Sequence, residues 1–268
     1  MGIHTTDAIV LRQYPYRETS VLVTCLTDRF GKLKGIVKGL RGERTRYRSA
    51  MEPMTLNRIV FYDTRTSSLH LISQCELLGA FQGLTADLEA IRLAASCVKL
   101  TDAVMQLGEP QLSVFELLKQ TLERLSSGGA PLASVRIHFA LRVLRLAGFH
   151  PQCDECTGCR ERPLDHQGYW SARQGGLLCS QCLHEDVNAQ PIAPQVLELF
   201  SLCAEASEPS PLEPAQAIAL QRQVDEFLHW RIDRPFQPAT HGGNAEFSMR
   251  NAEWKTTLTP RSALRAPH

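Results

Sequence analysis

The chain has 268 residues, 43% hydrophobic and 21% charged, with a formal net charge of +1. That length can bury ordinary cores and allows one to three domains. No stretch approaches the roughly 18 uninterrupted apolar residues that a membrane span needs. The opening MGIHTTDAIVLRQYPYRE lacks the basic start and apolar run of a secretory signal. Nine cysteines in such a chain point to a reducing cytoplasm and not to a disulfide framework.

Residues 7–75 read as a small all-β unit. Ala8-Ile9-Val10-Leu11 starts an apolar strand that runs into Tyr14-Pro15, and Ser20 to Thr27 is rich in β-branched residues. After Arg29-Phe30-Gly31, the segment 32–39 alternates basic and apolar residues. Its period of two puts Leu33 and Val37 on one face and Lys32, Lys34 and Lys38 on the other. Segments 55–62 and 69–73, separated by the polar turn 63–68, complete five strands with a hairpin between the last two. Five short strands in about 70 residues predict a small barrel, and the OB-fold is its five-stranded form.

The charge of this unit is lopsided. Lys32, Lys34, Lys38, Arg41, Arg44, Arg46 and Arg48 stand against one acid, Glu43, a local net charge of +6 across residues 32–48. Such clustering on a strand face and its adjoining loop marks a polyanion-binding surface, with Tyr47 as a stacking face beside the guanidinium groups. The bland alternative is a solvated basic loop.

From Glu76 to Gly148 the pattern becomes helical. Thr85-Ala86-Asp87 caps a helix reaching about Gly108, a second runs from Leu112 to Leu125, and a third from Leu132 to Leu146. The third leaves little polar face and is expected at the centre of a bundle. Arg136, Arg142 and Arg145 on its remaining side read as core-flanking arginines ahead of a ligand-binding stripe. Beyond residue 185, helices are expected over 194–206 and from Pro214 to about Ile232, each with proline at its first turn. Residues 236–268, with few sustained apolar patterns, are expected to be largely disordered.

Between these helices lie Cys156-Thr157-Gly158-Cys159 and Cys179-Ser180-Gln181-Cys182, two C-x-x-C pairs separated by 19 residues. That spacing reads as a tetrahedral zinc site. Two tight knuckles can close four thiolates around one Zn²⁺, and a full set of four leaves no open position for water or substrate, so the site is structural. Cys153 makes a competing C-x-x-C with Cys156, at the cost of lengthening the spacer to 22 residues and leaving Cys159 over. His150, His166 and His184 flank the site as weaker candidates. A redox dithiol is the remaining alternative.

There is no phosphate loop, no dinucleotide fingerprint, no H-E-x-x-H and no zinc-deaminase pattern. No residue is assigned a catalytic role, and the reading is a binding protein. Its rivals are an RNA-binding OB protein of translation and an enzyme with an open zinc position.

The order of basic five-stranded unit, helices and four-cysteine loop resembles the bacterial recombination-repair mediator family RecO. The specific pieces are Thr27-Asp28-Arg29-Phe30-Gly31-Lys32-Leu33 with Val37-Lys38-Gly39, Leu146-Ala147-Gly148-Phe149-His150-Pro151, and Gly175-Gly176-Leu177-Leu178-Cys179. The register from Gly148 and Pro151 places the family's first zinc cysteine at Cys156, whereas Arg160 replaces the glycine often found after the second. The resemblance implies an α+β multidomain chain: an OB-fold over 1–80, a helical domain over 81–150 and 186–235, and a zinc-binding insertion over 151–185. It implies a non-enzymatic, nucleoid-associated mediator that binds single- and double-stranded DNA and anneals complementary strands. Its implied partners are RecR, possibly RecF, the acidic tail of single-strand-binding protein at the helical domain, and RecA indirectly.

Overall fold

The computed structural model describes residues 2–39, 50–63, 68–129, 131–162 and 168–232. Five strands, β1 (Ile3–Tyr16), β2 (Ser20–Thr27), β3 (Gly31–Val37), β4 (Leu56–Tyr62) and β5 (Leu69–Gly79), form a closed barrel in the order β1-β2-β3-β5-β4. Neighbours are antiparallel except β3 and β5, which run parallel. Closure comes from the length of β1, whose first half pairs with β4 and whose second half pairs with β2. This is the five-stranded OB arrangement read from the sequence. The strand β5 runs on to Gly79, so the helical region starts later than the expected Glu76.

Alternation fills the barrel. Ala8, Val10, Val21, Val23, Cys25, Leu33, Val37, Ile59, Phe61 and Ile72 share one buried cluster. Ile9, Leu11 and Leu26 point the other way and belong to the core of the helices. Both faces of β1 are therefore covered at this point, which is why 8–11 is a continuous apolar run and not an alternating one. A register shift between Val10 and Arg12 makes Leu11 and Arg12 share the outward side.

The helices are α1 (Leu88–Val104), α2 (Leu112–Ser127), α3 (Leu132–Leu146), α4 (Pro194–Glu205) and α5 (Pro214–Arg231). Asp87 caps α1 by accepting the Glu89 N–H at 2.9 Å. The expected cap residues Thr85 and Ala86 instead close a short 3-10 turn over Gln82–Ala86. At the start of α5 the Glu213 N–H donates to Gln216 Oε1 at 3.1 Å. As expected, α3 is the centre: it packs against the other four helices and buries Val135, Ile137, Phe139, Leu141, Val143 and Leu144.

Polar contacts fasten the barrel to the helices around Asp102. Asp102 of α1, 7% exposed, is paired with Arg12 of β1 and accepts from Lys32 Nζ at 3.3 Å; its carbonyl accepts from the same Nζ at 2.7 Å. The Gly108 N–H donates to the Lys32 carbonyl at 2.8 Å. Gly31 has φ +66°, and a Cβ there would lie 2.1 Å from the Glu109 carbonyl oxygen. Only glycine allows both the turn and the approach.

Between α3 and α4 the chain forms a three-stranded sheet, β6 (Gly168–Ser171), β7 (Gly176–Leu178) and β8 (Gln190–Ile192), ordered β7-β6-β8. Sequence reading treats this stretch as a loop, because strands of three or four residues show no period. Trp170 anchors the sheet: it is 1% exposed and stacks on Phe200 of α4 with centroids 4.8 Å apart. Among the described residues, no helix is long and apolar enough to cross a membrane. The tail 236–268 lies outside the described residues.

Candidate metal centre and nucleic-acid interface

The two C-x-x-C turns converge. The Sγ atoms of Cys156, Cys159, Cys179 and Cys182 all lie within 4.8 Å of one another, and Cys159 and Cys179 are 3.8 Å apart. A tetrahedral ion with metal–sulfur bonds of about 2.3 Å requires sulfur–sulfur edges of about 3.8 Å. The donor set therefore fits a tetrahedral metal ion.

Backbone contacts impose this geometry. The Thr157 N–H donates to the Leu177 carbonyl at 2.8 Å, and the Leu177 N–H donates to the Gln152 carbonyl at 2.8 Å, tying the first knuckle to β7. The Arg160 N–H donates to the Cys156 carbonyl at 2.9 Å, closing the first knuckle with Arg160 at φ 65°. This is the left-handed position for which glycine is the natural residue.

Burial pushes the Cys156 thiol up, but N–H groups of Cys179, Cys159 and Gly158 outweigh it and bring the group down to about 7. Burial and then the neighbouring cysteines push Cys182 up to about 12. Four sulfurs this close resist ionising together, and a bound cation supplies the opposing charge.

Cys153 is apart from this set. Its thiol donates to the Pro151 carbonyl at 3.6 Å, and burial holds it up at about 12, protonated within the helical core. His184 is exposed and directs Nδ1 to the Gln181 carbonyl at 2.9 Å. Neither it nor His150 belongs to the cluster, and His166 lies outside the described residues.

On the barrel, Lys34 is exposed on the outer side of β3, and Lys38 is exposed in the turn that follows it. Lys32 shares the side of Lys34 but meets Asp102, leaving its side chain only 11% exposed. Arg41, Arg44, Arg46, Tyr47 and Arg48 lie outside the described residues. The α3 arginines are held by neighbouring helices: Arg136 pairs with Asp225 at 2.8 Å, Arg142 donates to the Ala204 carbonyl at 3.0 Å, and Arg145 pairs with Glu205 at 2.9 Å. Sequence reading missed Tyr14 and Tyr16, which are 49% and 36% exposed at the end of β1. Their signal was an aromatic pair at strand spacing beside a proline.

A family model described as "Recombination protein O N terminal" matches residues 1–81, and one described as "Recombination protein O C terminal" matches residues 85–238. A protein of Moorella thermoacetica named DNA repair protein RecO is 34% identical over 183 residues, covering 68% of this chain and 67% of its own. Proteins of the same name from Geobacter metallireducens and Shouchella clausii are 33% identical over 193 residues and 28% over 226. They cover 72% and 84% of this chain and 78% and 85% of their own.

Proposed function

The chain belongs to the recombination protein O family, and from that premise we infer that it is a non-enzymatic mediator of DNA repair and recombination. It binds single- and double-stranded DNA, anneals complementary strands and, with RecR and in some settings RecF, helps load RecA onto DNA coated by single-strand-binding protein. The observation that carries the DNA half is the exposure of Lys34 on the outer side of β3 and of Lys38 in the turn that follows it, with four arginines and Tyr47 following within ten residues of chain.

Such a surface holds phosphates and reads no sequence. Two strands drawn to one cationic face repel each other less, and pairing then follows from their own bases. Residues 151–185 carry one structural Zn²⁺ on Cys156, Cys159, Cys179 and Cys182; the ion supplies rigidity, and the thiolates leave it no open position. The helical domain is the part that takes the acidic tail of single-strand-binding protein. The work is cytoplasmic, at the nucleoid.

The test is strand annealing by the full chain and by a folded variant with Arg41, Arg44, Arg46 and Arg48 reversed to glutamate. Annealing and binding should both fall, and the residual binding should be less salt-dependent. Unchanged annealing would remove the loop from the mechanism.

A further inference from the structure

The side of the barrel that binds the helices also has an uncovered part. Cross-strand register defines it. Arg12, Thr24 and Lys34 lie in one row across β1, β2 and β3, and Tyr14, Leu22 and Ile36 lie in the next. Tyr16 and Ser20 pair beyond them, beside the end of β3 where Lys38 follows. Residues in register share a face. Asp102 covers the first row at Arg12, whereas Tyr14 and Tyr16 project into solvent and Leu22 and Ile36 are half-exposed. Arg17, at φ 55° in the hairpin, lays its guanidinium 5.2 Å over the Tyr16 ring. Among the described residues, the patch carries Arg17, Lys34 and Lys38 against one acid, Glu18.

Resting on the reading of the barrel as a DNA binder, the geometry points to a base-stacking platform for single strands, formed by Tyr14 and Tyr16 and flanked by Lys34, Lys38 and Arg17. Aromatic faces beside cations hold single strands irrespective of sequence, because every base has a π-face. Residues two apart on a strand are spaced by about 6.4–6.8 Å. That is about twice the 3.4 Å rise per nucleotide of a duplex strand. The two rings therefore accept successive bases of a stretched single strand, and a duplex, whose bases are stacked on each other, cannot use them. Charge complementarity favours this occupant over an acidic protein surface, which would leave the exposed rings without a matching ligand. Stacking engages the face of a base and leaves its pairing edge open. A strand held here therefore stays competent to anneal.

The experiment is fluorescence anisotropy with an oligodeoxythymidine of about 16 nucleotides, near the largest site of one OB-fold, and with a duplex of equal length, over a salt series. It uses the full chain, Tyr14→Ala/Tyr16→Ala and Tyr14→Phe/Tyr16→Phe. The alanine pair should weaken single-strand binding at least tenfold, leave duplex binding within twofold and leave the salt slope unchanged, since no phosphate contact is removed. The phenylalanine pair should retain single-strand binding. Equal loss on both DNAs, or none, overturns the platform while leaving the cationic reading intact; loss of RecR binding with normal DNA binding makes the patch a protein-docking face. Absence of single-strand binding by the unaltered chain overturns both proposals.

Discussion

Lys32 and Lys34 sit two residues apart on the same face of one strand, but Lys32 meets Asp102 whereas Lys34 is exposed. Replacing Lys32 by methionine keeps the apolar stem and removes the ammonium that donates to the Asp102 carbonyl at 2.7 Å and its carboxylate at 3.3 Å. The pair is well sheltered, with Lys32 11% and Asp102 7% exposed, so solvent screening discounts it little. A hydrogen bond from a charged donor is worth about 1.5–3 kcal/mol. In a protein of this size each kcal/mol moves the midpoint by about 2–4 °C, so Lys32→Met should lower Tm by about 3–12 °C. Its salt slope of DNA binding should match the unaltered chain. Lys34→Met should do the reverse: Tm within a degree or two, and a slope reduced by about 0.7 for single strands. Differential scanning calorimetry and salt-titrated anisotropy measure the two quantities. A Lys32→Met chain of normal Tm with a reduced slope would refute the assignment of Lys32 to the joint.

Cys179→Ser should lose stoichiometric zinc by elemental analysis and, with the metal gone, more than about 4 kcal/mol of stability; a variant of full stability without metal would disprove the structural role. Arg160→Gly relieves a left-handed strain of about 1–2 kcal/mol against a glycine entropy cost of about 0.5–1. A Tm rise of up to about 6 °C follows, and a fall would show that the Arg160 side chain is itself stabilising. Buried His138, whose Nδ1 has no partner among the described residues, has its pKa lowered first by burial and then by Arg142 and Arg124, against a backbone contact at Cys203. The unfolded chain therefore takes up a proton near pH 6.5 that the folded one resists. Stability is full above that pH and falls as pH drops through it. Urea unfolding between pH 7.5 and 5 should show this slope, and His138→Leu should flatten it; an unchanged slope would assign the titration elsewhere.

The sequence made the strongest elements legible, and the reasons are local. The β-branched run 20–27 and the apolar helix 132–146 appear at their expected bounds, because each has enough residues to display its period. The strands β6 to β8 have three or four residues and are held by Trp170 against Phe200, a contact no window of sequence contains. The four sulfurs were legible because the spacing of two C-x-x-C turns is itself the geometry. The division between Lys32 and Lys34 was not, since it depends on Asp102, seventy residues further along the chain.

The bulge at Leu11 and Arg12 explains how one barrel face serves two ends. An uninterrupted β1 would alternate strictly, and a residue slipped by one would turn Tyr14 and Tyr16 inward with Val21 and Val23 as their neighbours. The extra residue lets Ile9, Leu11 and Arg12 all reach the helices, then resets the phase so that Tyr14 and Tyr16 come out on the same side. The apolar half of that side is buried against α1 and locked by Arg12, Lys32 and Asp102. The half beyond it keeps its rings and its lysines in solvent. Deleting Leu11 removes the extra residue and its burial against the helices while keeping Tyr14 and Tyr16 on the outward side, so stability should fall with single-strand binding retained; inserting an alanine between Arg12 and Gln13 turns both rings inward and should abolish the single-strand preference.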